Sequence, residues 1–221
     1  MIPTLTDHGP FQPQFDLALA AGHLRSYQRA RRRSYAERGL CRVAGSHWDF
    51  LHLPYDLVSY NLSASEGRLF SYSQQLRFFE AKGSWHSRIL STMCELGMLE
   101  EEDRKEILNI VRNETDGLVS QVGGWLARPG GNTRRAAFLP YYCWALQRLL
   151  RVTFSYALCR VENGAADFLV RMGGFPMTSS FFSRYFGGMV QPIGFRYAPA
   201  VRHEPLVQAA EEQLVERTKL R

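Results

Sequence analysis

The sequence predicts a mixed α/β domain, in which strand-like and helix-like patterns alternate along most of the chain. Apolar residues make up 45 % and charged residues 22 % of the 221 residues, close to the average of soluble folded domains, and the length suffices for one self-supporting core. The run Leu118 to Leu146, LVSQVGGWLARPGGNTRRAAFLPYYCWAL, passes from a strand-like apolar stretch through a glycine turn carrying arginines into a helix-like stretch. RVTFSYALC, Arg151 to Cys159, then returns to the β-branched and aromatic residues of a central strand. A strand-loop-helix-strand unit of this kind calls for a right-handed parallel crossover.

Each element has its own signal. Pro3, Pro10 and Pro13 mark residues 1–14 as an irregular arm. Phe15, Leu17, Ala18, Ala21, Leu24, Tyr27, Ala30 and Tyr35 form a helical stripe, which predicts a helix over Phe15 to Arg38 with Gly39 as its stop. Tyr55 to Leu62 and Arg68 to Phe79 alternate and carry β-formers on either side of SASEG, the pattern of a β-hairpin. Between Ser84 and Arg112, Ile89, Met93 and Leu96, then Ile107, Leu108 and Val111, keep helical spacing, and the acidic break Glu100 to Asp103 suits the start of a second helix.

A strand is expected at Val119 to Leu126, and the helix after the glycine loop should run to about Leu150, with Pro140 tolerated only in its first turn. Asn163 to Arg171 reads as a helix stopped by Gly173 and Gly174, and Val190 to Tyr197 as a final strand. Glu204 to Arg221 is a polar amphipathic helix, expected to lie on the surface. The expected division is therefore an arm (1–14), one domain (15–203) and a C-terminal helix (204–221), with no internal repeat.

Lys and Arg, 27 in all, outnumber the 21 Asp and Glu, and arginine, suited to planar contact with phosphate or carboxylate, predominates. Arg29, Arg31, Arg32 and Arg33, with Arg134 and Arg135, hold much of the excess, which favours an anionic partner without naming it. Cys41, Cys94, Cys143 and Cys159 are widely separated and lack metal-ligand spacing, so no metal is expected, and Cys143 and Cys159, in apolar runs, read as small hydrophobes. No apolar run reaches the roughly 18 residues that span a bilayer, and the first residues lack a secretory pattern, so a cytoplasmic location without a membrane span is expected. With no Walker-type loop and no G-x-G-x-x-G, nucleotide hydrolysis and dinucleotide binding are disfavoured.

The glycine loop is the segment most suited to a ligand, because backbone N–H groups and the positive end of a helix dipole both face it. Arg128, Arg134 and Arg135 beside Gly130 and Gly131 join two independent features of a phosphate site. Gly123 and Gly124 weaken a strand interior, so they mark either a bulge where a ligand nears the backbone or a plain kink. Trp125, Phe138, Tyr141, Tyr142 and Trp144 could line a ligand pocket, although an aromatic stripe is first of all core.

On these residues the chain resembles the GNAT superfamily of acyltransferases, and within it the acyl-homoserine-lactone synthases and long-chain N-acyl amino acid synthases. The resemblance covers roughly Leu24 to Phe175. RARRRSYAERGL places Arg31, Tyr35 and Arg38 on recurrent Arg, aromatic and basic positions; WDFLHLPYD ends in the pair Tyr55 and Asp56; QLRF brings Arg77 to the end of a hairpin strand. SQVGGWLARPGGNTRR resembles the family's strand and pyrophosphate turn, and YALCRVENGAADFLVRMGGF its closing strand-helix unit, ending at Gly174 and Phe175.

The resemblance implies a GNAT-like twisted central sheet flanked by helices, an acyl thioester on coenzyme A or a phosphopantetheine carrier as co-substrate, and a small amine as acceptor. It implies that the strand at Val119 to Leu126 splays from its neighbour to polarise a thioester carbonyl, with Val122, Trp125, Arg128, Gly130, Gly131, Asn132, Thr133, Arg134 and Arg135 holding the donor. Arg31, Tyr35 and Arg77 then fall to the substrate side, and the basic surface would steer an acidic acyl-carrier protein. Autoinducer synthases carry Glu and Arg three residues apart where this chain has Gln121 and Gly124, and Leu53 occupies a usual acidic position, which speaks against S-adenosylmethionine as the amine.

Transfer to an amine needs a route for its proton, and Gln121 cannot act as a base. Asp56 is the favoured base or amine-positioning group, its plainer reading being a turn or cap residue; a water held by Asp56, Glu162 or Tyr156, or one of the six histidines, including His47 and His52, stands beside it. Asp56, Gln121 and Tyr156 are thus the catalytic candidates. The alternative reading is a non-catalytic module of the same fold that binds an acyl ligand or nucleic acid, nucleic acid being the less favoured partner.

Overall fold

The computed structural model describes residues 13–17, 59–66, 69–127, 139–196 and 204–219, with side chains described over 76–123, 141–196 and 204–216. Its scaffold grows from the hairpin. Strand β2 (Ser59–Glu66) pairs antiparallel with β3 (Leu69–Glu80), so strand pairing continues through Ser63 to Glu66, where SASEG predicts a turn, and the register shifts at Ala64 and Ser65. Along β3 the period of two sends Leu76 and Phe78 to one face of the sheet and Arg77 and Phe79 to the other.

Helices α1 (Ser84–Glu95) and α2 (Glu101–Glu114) follow as their apolar spacing predicts. The acidic break does begin α2: the Asp103 carboxylate accepts the Glu100 N–H at 3.0 Å, satisfying a donor that the first turn leaves open. Strand β4 (Leu118–Ala127) returns antiparallel to β3, and α3 (Leu139–Leu149), with Pro140 in its first turn, leads to β5 (Phe154–Arg160). Then come α4 (Ala165–Arg171), the short strands β6 (Phe175–Pro176) and β7 (Phe181–Ser183), β8 (Gly188–Arg196) and α5 (Glu204–Lys219).

The described strands form one sheet in the order β1-β2-β3-β4-β5-β8-β6, with β7 also on β8, where β1 is Pro13–Leu17. Every pairing is antiparallel except β4 with β5, the one crossover the loop and α3 connect. Helices cover both faces. On one, Phe79, Val119, Phe154 and Tyr156 pack with Ile89, Leu90 and Met93 of α1 and Ile107, Leu108 and Val111 of α2. On the other, Leu76, Ala157, Ile193 and Phe195 pack with residues of α3, α4 and α5. Burial from both sides explains why Phe154 to Ala157 is an unbroken buried run rather than an alternating one.

Two expectations are corrected. Phe15 to Leu17 is not the start of a helix: it belongs to β1, which pairs with Tyr60 to Ala64 of β2. The segment PQFDL alternates polar and apolar residues, a period-two signal that the longer helical stripe obscured. The remainder of the expected first helix lies outside the described residues. The C-terminal helix is more than surface cladding, since Leu206, Val207, Ala210 and Leu214 are buried, and Arg148 of α3 grips the Glu204 carboxylate with two nitrogens at 2.6 and 2.8 Å. The short strands β6 and β7 carried no separate signal, and both pair with β8.

Gly174, the stop after α4, is required by space: a Cβ there would lie 2.6 Å from Ile193 Cγ2 and 2.9 Å from the Leu169 carbonyl oxygen. Only glycine lets the chain turn this tightly against β8.

Candidate active site

Strands β4 and β5 part company halfway. Their ladder joins Val119, Ser120, Gln121 and Val122 to Phe154, Ser155, Tyr156 and Ala157 and goes no further, although β4 continues to Ala127 and β5 to Arg160. Beyond the last pair, β4 stays with β3 and β5 with β8, so a wedge opens whose apex is Val122 and Ala157. Among the described residues, main-chain groups of β4 past Val122 on the side of β5 have no strand to pair with, and amides left open where two strands part are what a polar substrate group needs.

The glycine pair shapes this edge. Opposite Ser73 to Gln75 of β3, β4 advances from Leu126 to Gly123, three residues against two, so a bulge lies at Gly124 and Trp125. Of the two readings of these glycines, the bulge is the one observed. At Gly123 a Cβ would stand 3.4 Å from Arg77 Nη1, at ordinary contact distance.

One residue below the apex, three strands present a row of polar side chains on the face covered by α1. Arg77 of β3 is in register with Gln121 of β4, and Gln121 with Tyr156 of β5. All three are at most 2 % exposed. Arg77 Nη1 donates to Gln121 Oε1 at 3.0 Å; since a guanidinium only donates, this fixes the amide oxygen toward Arg77 and leaves Gln121 Nε2 to Met93 Sδ of α1, 3.5 Å away. The row joins Gln121 and Tyr156 of the expected catalytic set with Arg77 of the expected substrate set.

A residue that the sequence offered only as one of six histidines completes it. His86, in the first turn of α1 and fully buried, brings Nε2 to 2.9 Å from the Tyr156 hydroxyl, while its ring stacks on Phe79 with centroids 5.8 Å apart. The signal was available: His86, Ile89, Leu90 and Met93 keep the spacing of one buried helix stripe. Burial lowers the His86 imidazole from 6.5 to about 4, the Ala81 backbone offsets part of this and the Arg112 charge adds to it. Among the described residues its Nδ1 has no hydrogen bond of ordinary geometry, the Ala81 backbone acting on the ring only as this weaker influence. Burial likewise holds the Tyr156 phenol well above its ordinary value, with the Arg77 guanidinium a smaller opposing influence. Both rings are therefore neutral at neutral pH.

On the opposite face, Gln147 of α3 donates to Ser120 Oγ at 2.7 Å, both residues buried, which pins α3 to the paired part of β4. The last candidates weighed for proton transfer are otherwise placed. The Glu162 carboxylate accepts the Met189 N–H at 2.7 Å and Arg160 Nε at 3.3 Å, closing the turn between β5 and α4 onto β8. Burial pushes the Cys159 thiol to about 12 and raises Cys143, leaving both as inert thiols. Asp56, Arg31, Tyr35, Arg128, Gly130, Gly131, Asn132, Thr133, Arg134, Arg135, His47 and His52 lie outside the described residues, as does Phe138, and Trp125 is described only as backbone of β4. Among the described residues no cluster of His, Cys, Asp and Glu forms a metal site, and no described helix is long and apolar enough to cross a membrane.

No protein-family model and no curated protein sequence matches the chain. Solved structures do. The N-acyl amino acid synthase FeeM from uncultured soil microbes superposes with a TM-score of 0.59 at 11 % identity, over 84 % of this chain and 95 % of that one. MesI, a CoA-dependent acyl-homoserine lactone synthase, gives 0.55 at 12 % identity over 91 % and 95 %. An acyl-CoA N-acyltransferase from Pseudomonas aeruginosa gives 0.53 at 13 % identity over 83 % and 98 %. The expected GNAT-like fold, a mixed sheet between helices, is the one this chain has.

Proposed function

We propose that this chain is an N-acyltransferase that moves an acyl group from a thioester, on coenzyme A or an acyl-carrier protein, to a small amine. The parting of β4 and β5 at Val122 and Ala157 carries this reading. It leaves main-chain donors where a thioester carbonyl becomes an oxyanion, at the end of the strands where the glycine loop and α3 begin. FeeM, an N-acyl amino acid synthase, and the P. aeruginosa acyl-CoA N-acyltransferase have the same fold, which supports the reading.

The chemistry asks three things of the chain. The β4 amides past the apex stabilise the oxyanion as the amine attacks. Arg128, Arg134 and Arg135 with the Gly130 to Thr133 backbone take the phosphates of the carrier arm, while Val122 and Trp125 border the arm itself. Tyr156, kept as a phenol, serves as acid rather than base, so the amine proton falls to Asp56 or to water it holds. Arg77 and Gln121 form the floor of the acceptor side, with Arg31 and Tyr35 contributed by the N-terminal segment. A fatty acyl group and an amino-acid-like acceptor fit the resemblance best, with catalysis in the cytoplasm. The division into arm, catalytic domain and C-terminal helix stands as part of the same proposal.

The purified chain, offered acyl-CoA and acyl-carrier-protein thioesters with a panel of amines, should release free thiol and form amide, and Arg134→Ala should raise the donor concentration needed for half-maximal rate by tenfold or more, on the order of the loss of one phosphate contact. Carrier binding without thiol release from any donor would instead support the non-catalytic module, a reading that draws on the uncharged Gln121 and Gly124.

A further inference from the structure

Past the apex of the wedge, Leu158, Cys159 and Arg160 of β5 keep β8 on one flank and, among the described residues, have no strand on the other. The period of two puts Arg160 on the face of Tyr156 and Leu158, and its neighbours across the sheet on that face are apolar: Val190 abreast of it on β8, then Phe181 on β7. Its side chain is only 18 % exposed, yet among the described residues the guanidinium makes one hydrogen bond, from Nε to Glu162 Oε2 at 3.3 Å. Glu162 gives its other oxygen to the Met189 N–H at 2.7 Å. A Cβ at Gly188 would stand 2.9 Å from Arg160 Nη2 and 2.6 Å from Glu162 Oε1, so glycine there leaves the space in which the pair lies. Nη1 and Nη2 are left without a described acceptor. A charge largely closed off from water calls for one, and the two nitrogens form a fork that matches a carboxylate.

Resting on the acyl-transfer reading, we propose that Arg160 selects the acceptor: Nη1 and Nη2 hold the carboxylate of the attacking amine, so the substrate is an α-amino acid and the product an N-acyl amino acid. Arg160 stands three residues, about 10 Å of strand, beyond Ala157, in the same open stretch as the β4 amides past Val122 that the reading gives to the oxyanion. One carbon separates the amine from the carboxylate of an α-amino acid, so a carboxylate gripped there keeps the nitrogen within that stretch. Arg77 is the other arginine described on this face, but it is buried below the apex and gives Nη1 to Gln121. Glu162 ties down the Nε edge of Arg160 and turns the Nη edge to the ligand, which makes the grip directional.

The test offers the full chain an acyl thioester and a panel of α-amino acids, each beside the amine left when its carboxyl group is removed. With its best amino acid the parent should show a kcat/KM about tenfold or more above that of the matching amine, on the order of one charge-assisted pair. Arg160→Met should raise KM for the amino acid by about tenfold or more with kcat within about threefold, and should leave the amine within about twofold of the parent. Arg160→Lys, which keeps the charge without the fork, should fall between the two and serves as the test if Arg160→Met does not fold. An arginine that only closes the turn would lower turnover of both acceptors alike. That result, a parent without preference for the carboxylated acceptor, or a rise confined to donor KM overturns the assignment. If the parent releases no thiol with any acceptor, the acyl-transfer reading falls and this inference with it.

Discussion

Arg77 and Gln121 face each other across the β3–β4 ladder, and the guanidinium donates to the amide oxygen at 3.0 Å where both side chains are closed off from water. A buried charge stays only where acceptors meet it, so this bond orders the floor of the wedge as well as holding two strands together. Gln121→Leu should therefore cost about 1–3 kcal/mol, the penalty for taking an acceptor from a buried donor. Urea unfolding of the two proteins measures it, and a loss near zero would mean that the guanidinium is held by other groups.

Stability should fall with acid through His86. Its folded pKa, about 4, is depressed below the ordinary 6.5, so the unfolded chain binds the extra proton first. The native state is then favoured above pH 6.5, and that contribution drains away as pH falls toward about 4. The shift corresponds to roughly 3 kcal/mol by linkage. The Tyr156 hydroxyl and the Arg112 charge are the groups that bear on the ring. Unfolding midpoints of parent and His86→Gln, followed from pH 7 to pH 4, should converge; parallel curves would contradict a neutral buried ring.

Gly174→Ala should destabilise by about 1–3 kcal/mol through overpacking, since the added carbon would meet Ile193, the Leu169 carbonyl and Phe195 at once. Gly123→Ala should cost less, its Cβ meeting Arg77 at ordinary contact distance. Thermal unfolding ranks the pair, and the reverse order would be inconsistent with the packing around α4.

Leu214→Ala in α5 should cost about 2–5 kcal/mol, as expected of a leucine truncated within a core. Arg148→Ala should cost about 1 kcal/mol or less, because its ion pair with Glu204 is partly exposed. A small effect of Leu214→Ala would return α5 to the surface role that its polar sequence alone implies.

Much of the architecture was readable from spacing. Local periodicity placed α1, α2, the β2–β3 hairpin and the β4-α3-β5 unit, because each needs only its own residues to reveal an apolar face. The glycine pair at 123 and 124 foretold the bulge, since glycine is a penalty in a strand that something must justify. Strand β1 escaped notice because five alternating residues run straight into a longer helical pattern, and only pairing with β2 settles their conformation.

The amino-acid sequence by itself determined the elements and the candidate chemistry: a glycine loop with arginines, a strand carrying Gln121, another carrying Tyr156. The tertiary structure decided which of these meet. Register across β3, β4 and β5 set Arg77, Gln121 and Tyr156 in one row, and the packing of α1 on that face delivered His86 to Tyr156. Contacts across 44 and 70 positions obey no local period; they follow from how far two strands stay paired before the sheet opens.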